Sequence, residues 1–279
     1  MDSTVFILVL LAALTHAAWN AWLKNTSPDF IGLAALATGW LTTACIALPF
    51  VGPPEPVHWK YLLTTTIVHT IYAALLVSAY RHGELSLVFP IARGSAPLIV
   101  ALVSPWVLME RLAGFDLLAV VLIASGILII GLAGAGSNVR DRHAVLLSLA
   151  TGATIASYTI IDASGARAGT SPHVYSVWLF VLASIAQIAV STLVHRSATL
   201  ALLKPHLVRG ITVGILSAVA YGAVLWAMSV APAALVAAVR ETSILFAALI
   251  GWLLLGEKVG RFRWIGVVIT VAGLIAGRL

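Results

Sequence analysis

The sequence predicts an all-α integral membrane fold, about ten transmembrane helices arranged as two inverted five-helix repeats, on three observations. The first is composition. Of 279 residues 61% are hydrophobic and 9% charged, against roughly 25% charged in ordinary soluble domains. The second is a succession of about ten apolar runs of roughly 20 residues, each long enough to cross a hydrocarbon layer of about 30 Å as a helix. The third is an internal duplication with a period of half the chain. Arg93 to Glu110 reads RGSAPLIVALVSPWVLME, and Arg240 to Glu257 reads RETSILFAALIGWLLLGE. In this register Leu98 matches Leu245, Ala101 matches Ala248 and Leu108 matches Leu255. Further on, Phe115 matches Phe262 and Gly126 matches Gly273.

The spans are expected at 3–23, 28–50, 59–80, 85–107 and 115–135, and then at 144–163, 172–195, 207–230, 233–255 and 262–278. They divide the chain into repeats at 3–135 and 144–278. Spanning segments must be helical because lipid offers backbone groups no water. Turn chemistry punctuates them at Ser27-Pro28, Gly52-Pro53-Pro54, His82-Gly83 and Pro232. Residues 1–4 carry no positive side chain, which argues against a signal peptide and for a retained first helix. Cys45 is the only cysteine, so no intramolecular disulfide forms, and its expected role is packing.

Charge sets the orientation. Lys60, Arg111, Arg167 and Arg278 fall on the amino-terminal side. Lys24, Arg81, Arg140, Arg142, Arg196, Lys204, Arg209, Lys258, Arg261 and Arg263 fall on the other. The positive-inside rule then puts both termini outside the cytoplasm of a multi-pass inner (plasma) membrane protein. The basic excess reflects these loops, and there is no polar face for nucleic acid. An odd number of helices per repeat forces the halves to insert upside down relative to each other. Small residues one turn apart, Gly266 with Thr270 and Gly273 with Gly277, suit close helix approach. Packing within the chain is the favoured reading over a dimer interface, and the oligomeric state stands open between monomer and homodimer.

Glu110-Arg111-Leu112 and Glu257-Lys258-Val259 close the two copies of the duplicated segment, and each is followed by a glycine-bearing fifth helix. With the stretches HAAWN, FPIARGSAP and VRETSILFAAL, this arrangement resembles the EamA-type branch of the drug/metabolite transporter superfamily over nearly the whole chain. The resemblance implies export or exchange of a small metabolite through a central cavity between the halves. Two departures stand out: Ile244 occupies the position that Pro97 holds in the first repeat, and the expected orientation differs from that of relatives with cytoplasmic termini.

The candidate site rests on cost. An arginine at a helix centre in lipid costs about 2.5–3.5 kcal/mol by insertion scales, and one leucine returns only about 0.5 kcal/mol. Arg93 and Arg240 each lie about two turns inside a span, so they should face protein or a wet cavity. Either they hold an anionic substrate group, for which a planar guanidinium is suited, or they are ion-paired with Glu241. Glu241 is the carboxylate expected well inside a helix, as a proton carrier or as the permanent partner of an arginine. Adjacent residues diverge by about 100° on a helix, so Arg93 is the expected partner rather than Arg240.

Pro90, Arg93 and Pro97 share a face, and the prolines either break the helix beside the arginine or simply kink it for packing. His16 with Asn20, His69 with Tyr72, Tyr158, and Tyr221 are expected to line the cavity, with structural hydrogen bonding between helices as the alternative. Asp162 is expected near a helix end, capping it or facing solvent. Glu110 and Glu257 are expected to be structural, each holding the turn between the fourth and fifth helices of its repeat through backbone donors at the next helix start.

No HExxH or paired metal spacing, no dinucleotide loop and no GxSxG elbow occurs, so neither an enzyme, a metal nor a cofactor is expected. The expectation is a secondary transporter of a small polar metabolite carrying an anionic group, working by alternating access, with protons as a candidate coupling ion and export as a candidate direction. The rivals are a non-transporting membrane sensor or assembly subunit and a membrane-embedded enzyme. The loops are too short for a nucleotide-hydrolysing or output domain.

Overall fold

A chain in lipid satisfies its backbone donors and acceptors within helices, and the computed structural model obeys this. It describes residues 1–23, 30–83, 85–133, 142–255 and 260–278, and no strand occurs among them. The helices are α1 (Ser3–Leu23), α2 (Phe30–Val51), α3 (Pro56–His82), α4 (Leu85–Val107), α5 (Gly114–Leu132), α6 (Arg142–Arg167) and α7 (Pro172–His195). They continue with a short α8 (Thr199–Leu203), α9 (Leu207–Val230), α10 (Ala233–Glu241), α11 (Ser243–Leu255) and α12 (Arg261–Ala276). Among the described residues, six helical segments are long and apolar enough to cross a membrane, the last of them a 59-residue run from Pro172 to Val230 that contains α7, α8 and α9. The outer surface agrees: Leu63, Ile67 and Ile71 form an exposed apolar stripe along α3, and Leu102, Val219 and Val268 are exposed on other helices. Cys45, expected in packing, is exposed on α2.

Three departures from the expected elements bear on the site. The single span expected at 233–255 is divided at Thr242. The Thr242 hydroxyl donates to the Val239 carbonyl at 2.6 Å and its N–H reaches the same carbonyl at 3.2 Å, so the helix tightens for one turn before α11 begins. The helix with prolines, α4, runs unbroken through Pro90, Pro97 and Pro105. Its neighbours support it: the space above Gly131 of α5 is filled by the Pro90 ring, and Gly152 of α6 lies close against Ala92 and Ser95. Of the two readings of these prolines, a break beside Arg93 does not occur, and the interruption lies beside Arg240 instead. Finally, α6 runs to Arg167, a full turn beyond the expected end at residue 163.

All nine residues of α10 are buried. It packs on α1, α4, α5, α6 and α9, so the end of α10 lies inside the bundle. Around it, α5 packs against α12 and α2 against α7, while α6 packs on α3 and α4. Glycines set the closest approaches. A Cβ on Gly126 would lie 2.6 Å from the Gly266 carbonyl oxygen, and one on Gly273 would lie 2.7 Å from the Ile123 side chain, so the small residues of α12 serve the α5 contact within the chain.

Where α2 crosses α9, a Cβ on Gly39 would lie 2.5 Å from both the Gly214 Cα and the Ile211 carbonyl oxygen. Overpacking costs about 1–3 kcal/mol, and alanine returns about 1 kcal/mol of helix propensity. Because both obstructing atoms are backbone, Gly39→Ala should be a net loss. The expected result is a lower thermal unfolding midpoint for the detergent-solubilised variant; an unchanged midpoint would mean that α2 and α9 separate freely.

Candidate functional site

Two buried charges, Arg240 and Glu241, meet the half-buried Arg93 where α10 ends beside α4. Glu241 is 1% exposed, and its carboxylate is shared by two guanidinium groups. Arg93 Nη1 donates from α4 to Oε1 at 3.2 Å and to Oε2 at 3.3 Å. Arg240 donates to Oε1 through Nη2 at 2.7 Å and through Nε at 3.1 Å. The expectation that helix divergence would keep Arg240 from its neighbour is corrected: the long side chain folds back, at the position where Thr242 tightens the helix. Each guanidinium also lies over an aromatic ring, Arg93 5.2 Å from the Phe89 centroid and Arg240 5.8 Å from that of Tyr221. The group carries two positive charges against one negative. Its most open member is the Arg93 side chain, 12% exposed.

Several of the other sequence-derived candidates gather around this group. His16 on α1 lies within electrostatic reach of Arg93, Arg240 and Glu241, as Tyr72 and Tyr158 do of Arg93. His69 stacks on Tyr158 with centroids 4.2 Å apart, and Tyr72 meets the same ring edge-on at 5.6 Å. Tyr221 lies edge-on to His69 at 6.5 Å and stacks on Trp40 at 6.0 Å. The site is thus a cationic cluster with an aromatic wall from α2, α3, α6 and α9. The side chain of Asn20, and Glu257, lie outside the described residues.

Asp162 corrects the reading of it as a capping or solvent-facing residue, and of Glu241 as the one deep carboxylate. It is completely buried. Tyr175 donates to Oδ1 at 2.8 Å and Tyr221 to Oδ2 at 2.6 Å. Its burial follows from the extra turn of α6, and a sequence signal existed: Thr151, Thr154, Tyr158 and Asp162 form one polar stripe. Tyr175 and Trp40 were not singled out, because each is one aromatic residue among many in an apolar span.

Glu110 acts at a different turn from the one expected. Asp116 serves the start of α5, accepting from the Ala113 N–H at 3.1 Å. Glu110 instead accepts the Ala233 N–H at 2.8 Å, at the amino terminus of α10, and pairs with Arg167. Arg167 in turn donates to the carbonyls of Met228 at 2.8 Å and Ala231 at 3.0 Å. More links lie between the α2–α3 and α6–α7 turns. Glu55 accepts from the Thr170 N–H and hydroxyl, each at 2.7 Å. His58 Nδ1 accepts the Glu55 N–H, so Nε2 carries the proton and donates to the Ala168 carbonyl at 2.6 Å. Trp178 Nε1 donates to the Gly52 carbonyl at 2.9 Å.

The Thr170 N–H, with its hydroxyl, holds the exposed Glu55 carboxyl below the ordinary carboxylate value. A depressed group contributes stability that is fully present above its unfolded value and is lost as pH falls through its folded value. Hydrogen exchange at the Thr170 amide should therefore accelerate as pH drops through the acid range below 4.5, after correction for intrinsic exchange. Glu55→Gln should remove that dependence, and a wild-type amide unaffected by pH would contradict the contact.

Comparison with known proteins adds three findings. The model of the EamA-like transporter family matches residues 3–132 and again 142–276. The uncharacterized transporter YwfM of Bacillus subtilis (strain 168) is 26% identical over 220 residues, covering 78% of this chain and 72% of that protein. A solved crystal structure superposes with a TM-score of 0.78 at 14% identity, over 99% of this chain and 98% of the other, and so shares the fold.

Proposed function

Because the chain belongs to the EamA-like transporter family, we propose that this multi-pass membrane transporter is a secondary transporter that moves a small metabolite bearing an anionic group, by alternating access between two inverted five-helix repeats. The observation that carries the anionic class is the two-to-one charge ratio at the centre: Arg93 and Arg240 share Glu241 and leave one positive charge to be matched. A carboxylate or phosphonate-like group supplies the match through bidentate hydrogen bonding to the more open guanidinium, that of Arg93. Glu241, held between two cations, is read as a fixed countercharge. His16, His69, Tyr72, Tyr158 and Tyr221 form the wall that selects the remainder of the substrate, and Asn20, four residues beyond His16 in the sequence, is proposed as a further substrate contact.

The repeat reading has independent support. Counting α10 and α11 as one crossing gives ten, five in each half. The pairings of α5 with α12 and α2 with α7 join corresponding members of the two halves. The contact between Arg278 and Ser3 puts both ends of the chain together, as an even number of crossings requires. By loop charge, that face is the non-cytoplasmic one.

A thermal-shift screen of small carboxylates, phosphonates, amines and neutral metabolites tests the class. A ligand at about 100 times its Kd adds roughly 2.7 kcal/mol of stability, and the expected hits are anions. Arg93→Ala and Arg240→Ala should abolish uptake of the hit in proteoliposomes while the protein still inserts. Removing one member of a buried pair costs about 3–5 kcal/mol, so Arg93→Lys, which keeps the charge but loses the fork, serves as the folded control and should reduce uptake at least tenfold. Hits confined to amines, or full uptake by both alanine variants, would sink the anionic reading.

A further inference from the structure

The geometry points to Asp162 as a proton-binding site, separate from the arginine cluster and connected to it through Tyr221. This rests on the reading of the protein as a transporter, but its chemistry does not involve Glu241. A buried ion normally has a counter-ion. Glu241 has two, whereas among the described residues the side chains that donate hydrogen bonds to Asp162 are hydroxyls, Tyr175 from α7 and Tyr221 from α9. Asp162 thus holds its carboxyl among hydroxyl donors, where Glu241 holds its own between two guanidinium groups.

The surroundings provide a route. His69 Nδ1 lies 3.0 Å from the Thr65 carbonyl, which only accepts, so Nδ1 carries the hydrogen. The same nitrogen lies 3.1 Å from Thr65 Oγ1. Thr65 Oγ1 therefore stands beside the imidazole and within electrostatic reach of the Asp162 carboxyl. On the other side Tyr221 donates to Asp162 Oδ2 while its ring lies beneath Arg240. Uptake forms one O–H bond on a carboxyl oxygen with a proton given up by a hydronium ion, which leaves as water. The Tyr221 hydroxyl then turns from donor to acceptor, and release reverses the step.

The titratable and charged groups facing this unit come from every side. They are His69 on α3, Tyr158 on α6, Tyr175 on α7, Tyr221 on α9 and Arg240 on α10, with Arg93 of α4 and Glu241 acting on Tyr158. Arg240 therefore acts on both the anion site and the shell of Asp162, so binding at one is felt at the other. A metal cation fits poorly, since Asp162 is enclosed by O–H donors at 2.6 and 2.8 Å rather than by lone pairs around a space.

Infrared difference spectroscopy of the protein in liposomes, stepped from acidic to alkaline buffer without substrate, tests this. A carboxylic-acid carbonyl band should give way to carboxylate bands. That signal should be lost in Asp162→Asn and retained in Glu241→Gln. Tyr221→Phe, which keeps the carboxyl and deletes one donor, should displace the midpoint, and it decides the matter if Asp162→Asn does not fold. Persistence of the band in Asp162→Asn, its loss in Glu241→Gln, or an unmoved midpoint in Tyr221→Phe overturns the assignment. No substrate is needed, so failure of the anionic reading and failure of this one are told apart.

Discussion

One carboxylate shared by two guanidinium groups constrains the rest of this structure. Two arginines inside lipid-facing helices cost several kcal/mol by insertion scales, and neither can reach the interface from its depth. Glu241 answers both, and in doing so joins α4 of the first half to α10 of the second. Their meeting requires α10 to be the buried centre of the bundle, which it is along its full length. It also requires the helix to turn tightly after Glu241, which Thr242 provides with its own hydroxyl.

The duplicated segment accounts for this centre and for its asymmetry. Arg93 and Arg240 are matched positions, but Gly94 in one half stands where Glu241 stands in the other. A Cβ at Gly94 would lie 2.7 Å from the Leu128 side chain of α5, so a larger residue there requires that side chain to move. With glycine at this position the centre holds one carboxylate against two guanidinium groups. The other repeated acid acts in parallel, because Glu110, from the first half, occupies the amino terminus of α10 in the second. Both ends of α10 are held by charges, at one by the Glu110–Arg167 pair and at the other by Arg93.

Much of the fold was legible in the chain. The expected bounds coincide with α1, α4, α7 and α9, because hydropathy and turn residues mark where a helix must leave the lipid. The division of the ninth span was not legible, since the polar run Arg240-Glu241-Thr242-Ser243 is short and the apolar pattern resumes beyond it, as it would in one continuous helix. The prolines of α4 left a break beside Arg93 and a packing kink both open, and the helix is continuous through them with the Pro90 ring seated against Gly131. Asp162 was misplaced by a single turn of α6, enough to turn a buried hub into a presumed cap.

By itself the sequence determined the membrane class, the placement of most helices, the duplication, and which charged residues are too expensive to face lipid. The pairing of Arg93 with Glu241 was already expected from the chain, but only the tertiary structure decided the other partners: Arg240 on the same carboxylate, two tyrosines on Asp162, and the start of α10 on Glu110. The reason is physical. Lipid tails are as apolar as leucine, so a hydropathy pattern cannot tell a lipid-facing side from a protein-facing one. Which way a polar side chain points is settled by helix packing, here by close glycine contacts such as Gly39 against Gly214 and Gly126 against Gly266.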